Sequence, residues 1–423
     1  MFPEWLIFVV MTLSFILAAM WVKWPIGISL IAALIIGALV AGEGFPVRHL
    51  IEGTFAYLDP ILIISTAMVF MEVLRRSGAL GSLSRLIIVK MHRQPFWLLF
   101  FITIFIMFPG MITGLSTATV LTTGALVAPA LMHLGIPKLK VAAMIAMSAI
   151  YGMIAPPINV PAMIIGGGVD MPYIGFELPL IFATFPLAIG VNLGLGYKYV
   201  RQVDLEKILP DLEADAFEAY GWRLYSPLIL VVVLLLGIRL FPQFFPNLGV
   251  PLIFMIGSLS GLFSGKKFNF WKLSHQSLQE ALPVIGILMG IGMFIQIMTL
   301  TGVRGMLVIG SLSLPTFWRY LGISTMMPLF GAISAYGSAS VLGVPFLLAY
   351  LGRNEIIVGS ALSLISGLGD LMPPTALAGI FAAQVVGEDN YFRVLKYTII
   401  PAFATAAWGI AMIVLANQLG KFL

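Results

Sequence analysis

Cysteine is absent from the 423 residues, which excludes disulfides, thiolate catalysis and thiolate-held metal. Charge is scarce as well: only 10% of the chain is charged, where a soluble domain carries about 25%. The four histidines show no metal-ligand spacing, and His49, His92 and His275 fall in or beside loops. Gly166-Gly167-Gly168 follows no strand signal, so it is not a phosphate loop, and no nucleotide motif points to ATP drive. With no nucleophile–base pair and no metal cluster visible, an enzyme is the weakest reading. Before the first apolar run, Met1-Phe2-Pro3-Glu4 holds no basic residue, which a secretory signal needs, so residues 5–22 are expected to remain as a first helix. The net charge of +5 does not imply nucleic acid, because the basic residues sit in loops between apolar segments.

What the chain does have is apolar length. Sixty per cent of it is hydrophobic, and such runs need a bilayer as solvent. Apolar segments are expected at 5–22, 25–42, 58–74, 95–111, 117–134, 139–168, 172–197, 225–242, 248–264, 281–300, 318–333, 339–352, 355–388 and 392–418. Most suit a spanning helix of about 20 residues. The composition therefore predicts an all-α polytopic membrane protein. The one long polar stretch, 201–223, carries Asp204, Glu206, Lys207, Asp211, Glu213, Asp215 and Glu218 and is expected to be a linker between two halves.

Four places interrupt the apolar pattern. The pairs 95–111/117–134 and 318–333/339–352 are short and are joined by small residues: Gly110-Met111-Ile112-Thr113-Gly114-Leu115-Ser116-Thr117 and Ser334-Ala335-Tyr336-Gly337-Ser338-Ala339-Ser340. Each pair is expected to be a re-entrant hairpin. Ala155-Pro156-Pro157-Ile158-Asn159 and Met372-Pro373-Pro374-Thr375-Ala376 place two prolines inside long segments. A proline disfavours helix at the residue before it and lacks an amide donor, so each segment is expected to break into two half-helices.

The interruptions repeat. Laid on itself with Pro156-Pro157 on Pro373-Pro374, the chain also matches Leu131, Leu134, Gly135, Val141 and Gly152 to Leu348, Leu351, Gly352, Val358 and Gly369. With a short gap, Thr117-Ala118-Thr119-Val120-Leu121 falls on Ser338-Ala339-Ser340-Val341-Leu342. If each hairpin returns to its own side and each broken helix crosses once, the first half crosses an odd number of times. The second half then starts on the opposite side, and the repeats are inverted. Charge agrees with this topology: of the 23 Lys and Arg, all but Arg48, Arg239, Arg304, Arg319, Arg353 and Lys421 fall on one side, which should be cytoplasmic. Both termini are then outside and the linker inside; the first hairpin enters from the cytoplasm, the second from outside.

Irregular backbone at membrane depth is tolerated only against protein or a watery cavity. In inverted-repeat transporters such breaks build the substrate and ion sites. Ser116, Thr117, Thr119, Ser338, Ser340 and Thr375 offer hydroxyl oxygens, Asn159 an amide oxygen, and Tyr336 a phenol at the second joint. Pro156, Pro157, Pro373 and Pro374 set the breaks, while Gly114 and Gly337 let a ligand approach the backbone. The same small residues also permit close helix packing. Asp370 lies inside an apolar stretch, where an ionisable group is expensive and a functional candidate; it can equally face a watery crevice or cap the break. Its repeat mate is Met153. Asp170 is expected at the outer interface.

Phe70-Met71-Glu72 through Ser77-Gly78, the Gly114–Ala118 hairpin and the two double-proline breaks resemble the large membrane subunit of TRAP (tripartite ATP-independent periplasmic) transporters, within the ion-transporter superfamily. The resemblance covers nearly the whole chain. It implies an elevator-type carrier with a fixed scaffold and a moving domain that holds both hairpins and both broken helices. The first repeat would then be 1–200 (scaffold 1–78, arm 79–94, hairpin 95–134, broken helix 138–168, helix 172–200). The linker would be 201–223. The second repeat would be 224–423 (scaffold 224–300, arm 301–316, hairpin 317–352, broken helix 354–388, helix 390–418).

The resemblance also implies sodium as coupling ion, with Gly114, Ser116, Asn159, Gly337, Ser338, Asp370 and Thr375 as candidate ligands, and no other cofactor. It implies a small organic anion, carboxylate- or dicarboxylate-like, as substrate. A small four-helix membrane subunit and a periplasmic binding protein would be partners, in a bacterial or archaeal cytoplasmic membrane. The tips depart from the family pattern: Gly114-Leu115-Ser116 stands where Gly-Ser-Ser is usual, Tyr336-Gly337-Ser338 where Asp-Pro-Thr is usual, and Asp370 is not a family position. The alternative is a standalone carrier coupled to protons through Asp370; a channel or membrane scaffold fits less well.

Overall fold

A computed structural model describes residues 2–200, 212, 215–241, 243–246 and 248–423. Most of the expected linker, with Asp204, Glu206, Lys207, Asp211 and Glu213, lies outside the described residues. Among these there is no strand, and six helices are long and apolar enough to cross a bilayer, with a seventh span if one bent pair counts as one. The chain is a multi-pass membrane protein with two inverted repeats.

The first repeat runs α1 (Glu4–Ile16), α2 (Ile26–Ala41), α3 (Val47–Phe55), α4 (Leu58–Ser77) and α5 (Ala79–Met91). The hairpin follows as α6 (Pro95–Thr113), a turn α7 (Ser116–Thr119) and α8 (Ala125–His133), then the halves α9 (Lys138–Ile154) and α10 (Val160–Gly167), and α11 (Glu177–Gly196). The second repeat answers with α12 (Ser226–Leu240), α13 (Val250–Ser260), α14 (Phe270–Leu300) and α15 (Val303–Ser313). Its hairpin is α16 (Thr316–Gly331), α17 (Ala335–Ser338) and α18 (Val344–Leu348), followed by α19 (Glu355–Gly367), α20 (Leu377–Val385) and α21 (Tyr391–Val414).

Two elements differ from the expected segments. The segment 281–300 begins eleven residues earlier, in α14 of 31 residues, because Asn269 caps its start, accepting from Lys272 N at 3.0 Å. An apolar scan stops at Glu280, yet polar side chains between 270 and 280 continue a helix readily. The segment at 58 is preceded by α3, which meets α4 at a 45° bend. α3 carries Arg48, His49 and Glu52, so it lacks the apolar signature of a span.

Helices pack in two groups. In the framework group, α14 lies against α2, α3 and α4; α1 packs on α2 and α12 on α13, which rests on α4. The approach is close: a Cβ on Gly27 would fall 2.4 Å from Gly286 O, and one on Gly292 2.1 Å from Gly53 O. Small residues are what let membrane helices touch along their backbones. The hairpin group comprises α6–α11 and α16–α21, with α9 and α19 buried at its centre. The arms α5 and α15 join the groups; each starts after a glycine of positive φ, Gly78 (+89°) and Gly302 (+74°).

Each hairpin crosses its own broken helix at a glycine pair. A Cβ on Gly110 would lie 2.8 Å from Gly152 C, and one on Gly331 2.8 Å from Gly369 Cα. Gly110 and Gly331 are repeat mates, as are Gly152 and Gly369, so the crossing is built twice. The arms are tied alike: Thr123 Oγ1 donates to Ile106 O (3.0 Å), and Ser338 Oγ donates to the mate of that carbonyl, Met327 O (2.7 Å). In both hairpins a π-helical turn, 120–124 and 339–343, follows the tip.

Candidate ion and substrate site

The hairpin tips turn where their residues allow it. Gly114 ends α6 with φ +69°, and its Hα side faces Val160, where a Cβ would come within 2.5 Å of Cγ2. Ser334 starts the second tip, its Oγ accepting from Gly337 N at 3.2 Å. At the breaks, Pro156-Pro157 and Pro373-Pro374 are both in cis. Asn159 caps α10, while its mate Ala376 opens α20 with φ +37° and no side-chain cap.

Tip and break are joined once in each repeat by equivalent positions. Ile158 N donates to Met111 O at 3.1 Å, and Thr375 Oγ1 donates to Ala332 O at 2.5 Å. Met111 and Ala332 are repeat mates, and so are Ile158 and Thr375. One repeat uses a main-chain amide for the bond and the other a side-chain hydroxyl.

Two further bonds cross between the repeats. Ser116 Oγ donates to the Asp370 carboxylate, and Tyr336 OH donates to Gly114 O at 2.8 Å. Asp370 is 7% exposed, on the short 3₁₀ turn 368–371 before the second break. Among the described residues no Lys or Arg pairs with it. Gly114, Ser116, Tyr336 and Asp370 thus gather where the first tip meets the second tip and second break.

The other expected site residues lie around this cluster. Asn159 is committed on three sides: Oδ1 accepts from Ala162 N (2.9 Å), and Nδ2 donates to Ile154 O (2.8 Å) and to Ser363 Oγ (2.9 Å). Gly337 is buried in the second tip and Thr117 is half-buried in the first. Thr119 and Ser340 are repeat mates, and each hydroxyl is buried without a partner. Thr119 Oγ1 lies beside Gly110, whereas Ser340 lines a small cavity together with Met298 and Arg304 of the neighbouring elements. Asp170, expected at the interface, is exposed with φ +54°.

The two breaks differ in access. Pro373 and Pro374 are exposed to a cavity of about 400 Å³ that runs past Gln384 to Glu388 and Tyr391. Pro156 is buried and Pro157 half-buried; Pro157, Tyr57 and Tyr173 line a larger cavity of about 1090 Å³. Arg239 Nη2 and Glu177 Oε2 pair at 2.9 Å at its wall, across the two helix groups. In the loop 386–390, Lys138 beside Glu388 holds that carboxyl below the usual carboxylate range, and Arg393 adds a second cation.

Sequence reasoning missed Ser363, and it missed the network in which Asn192 Nδ2 donates to Thr103 Oγ1 and Ser148 Oγ, both at 2.8 Å. A lone serine or threonine on an apolar helix is usually satisfied by its own backbone, so it carries no sequence signal.

A family described as "Tripartite ATP-independent periplasmic transporter, DctM component" matches residues 13–418. Among solved structures, the YdaH transporter of Alcanivorax borkumensis is similar, with TM-score 0.58 and 17% identity over 86% of each chain. MtrF of Neisseria gonorrhoeae, described within a class of antimetabolite efflux pumps, has TM-score 0.57 and 15% identity over 88% of this chain and 83% of its own. At such identity the likeness is one of fold. No curated protein sequence matches the chain.

Proposed function

The chain belongs to the DctM-component family of tripartite ATP-independent periplasmic transporters, and on that premise we propose that it couples import of a small organic anion to sodium. It is a membrane transporter and not an enzyme. The framework group is the fixed scaffold and the hairpin group the moving elevator domain. Gly114, Ser116, Gly337, Ser338, Asp370 and Thr375 supply oxygens to sodium at the two tips, and Asn159 holds the first break in shape. A carboxylate- or dicarboxylate-like substrate sits between the tips, near the exposed Pro373-Pro374 break. A small four-helix membrane subunit and a periplasmic binding protein complete the system in the cytoplasmic membrane, with both termini outside.

The observation that carries this reading is the doubled tip-to-break hydrogen bond, Met111 O with Ile158 N and Ala332 O with Thr375 Oγ1. It ties the tip to the break at the same turn in both repeats, which supports a cation site built between half-helices. The test is uptake of radiolabelled dicarboxylates by vesicles that hold the protein with its small membrane subunit and are supplied with the binding protein, with sodium and proton gradients imposed separately. Sodium-driven uptake is expected. Uptake that ignores sodium and follows the proton gradient would replace this reading with the standalone, proton-coupled carrier.

A further inference from the structure

Two polar contacts between the helix groups grip one helix end. Tyr57, between α3 and α4, donates its hydroxyl to Ile164 O at 3.3 Å. Arg304, at the start of α15, donates Nη2 to Gly168 O. Ile164 lies in the last turn of α10, its carbonyl also accepting from Gly168 N at 3.0 Å, and Gly168 caps that helix, at the end where positive groups are favoured. The end of α10 is itself wedged against the second hairpin, since a Cβ on Gly168 would fall 2.4 Å from Val344 Cγ2. Arg304 shares a small cavity with Met298 of α14 and with Ser340 and Val344 of that hairpin. One donor from the framework and one from the arm α15, which also packs on α14 and α1, therefore hold a point where both repeats of the hairpin group meet.

The repeat mates of these donors cannot do the same. Phe70, Ser77, Gly78 and Gly81 align with Phe294, Thr301, Gly302 and Gly305, which places Ala281 opposite Tyr57 and Leu80 opposite Arg304. Neither side chain can donate a hydrogen bond. The packing is also unequal. In the first repeat α6 packs on α4; in the second, α14 is met by the tip and π turn of the hairpin, 335–343. Inverted repeats in unequal poses have a second state in which the poses are exchanged. There the carbonyls of Phe381 and Val385, mates of Ile164 and Gly168, would face Ala281 and Leu80.

We propose that Tyr57 and Arg304 form a one-sided latch that favours the observed pose over its exchanged counterpart. The latch rests on the moving-domain reading above. Its effect is on the resting balance between states, and it sits apart from the tip cluster.

The test uses spin labels on Lys272→Cys and Lys396→Cys, both exposed, one on each helix group, in a chain without native cysteine. Distances are measured in lipid nanodiscs with and without sodium, for otherwise unmodified protein, Tyr57→Phe, Arg304→Gln, the double variant and Arg304→Lys. The minor distance is expected to gain on the order of 10-fold in relative population in the double variant, the scale of two net hydrogen bonds, with Arg304→Lys closer to the parent. Two distances in the parent with an unchanged ratio in every variant would refute the latch and leave the moving domain standing. A single distance in all proteins, with and without sodium, would refute the moving domain and the latch with it.

Discussion

Ser116 Oγ donates to the carboxylate of Asp370 across the junction of the two repeats. The bond has no symmetric counterpart, because the mates of Ser116 and Asp370 are Gly337 and Met153. One of two otherwise similar tips therefore touches a negative charge. Coulomb attraction to a cation is strongest where water is excluded, so the first tip should be the tighter of the two.

This asymmetry predicts that Asp370→Asn weakens sodium binding more than any neutral change at the tips. The asparagine can still accept from Ser116 but carries no charge. Loss of one charged ligand interaction of about 1.5–3 kcal/mol corresponds to roughly 10- to 100-fold in apparent sodium affinity. Ser116→Ala should cost less. Sodium titration of thermal stability in detergent reads both, and equal affinity in Asp370→Asn and the parent would remove Asp370 from the site.

The tip-to-break bonds predict unequal sensitivity at equivalent positions. Thr375→Val keeps the shape and loses the hydroxyl that donates to Ala332 O, so uptake should fall roughly 10-fold, as for about 1–1.5 kcal/mol. Ile158→Val should be near neutral, because the donor there is the main-chain amide. Vesicle uptake rates for the pair decide it; a loss in Thr375→Val no larger than that in Ile158→Val would show that the hydroxyl's hydrogen bond does not matter.

Glycine positions separate fit from flexibility. Gly114→Ala puts a Cβ 2.5 Å from Val160 and asks alanine to hold φ +69°. A destabilisation of about 1–3 kcal/mol and a strong loss of uptake are expected. Gly194, with nothing within 4 Å of its Cβ position on α11, should accept alanine without loss. Thermal melting with uptake measures both, and a fully active Gly114→Ala would show that the first tip has room to spare.

Topology is tested with single cysteines at Glu218 and Lys421, both exposed. Membrane-impermeant maleimide applied to sealed cells should label Lys421→Cys, whereas Glu218→Cys should react only after permeabilisation. Labelling of both from one side would contradict an odd number of crossings between the linker and the C-terminus.

The sequence by itself determined the features that rest on local backbone chemistry. Paired prolines stop a helix wherever they stand, glycine and serine joints turn it, and the recurrence of both in order marked the two repeats. It did not mark α3 or the first turns of α14, because an apolar scan is blind to helix that carries Arg48, His49 and Glu52 or Lys272, His275 and Glu280. Ser116, Asp370 and Thr375 were legible as candidates, but their partners were not. Asn159 meets Ser363, Tyr336 meets Gly114 and Tyr57 meets α10 only after helices distant in sequence have packed. The same holds for the two double prolines, identical in sequence: Pro373 and Pro374 are both exposed, whereas Pro156 is buried and only Pro157 edges a cavity. Pattern within a segment is enough to say where the chain breaks. Which break is exposed, and which hydroxyl finds the buried carboxylate, depends on how two similar halves settle unequally against a common framework.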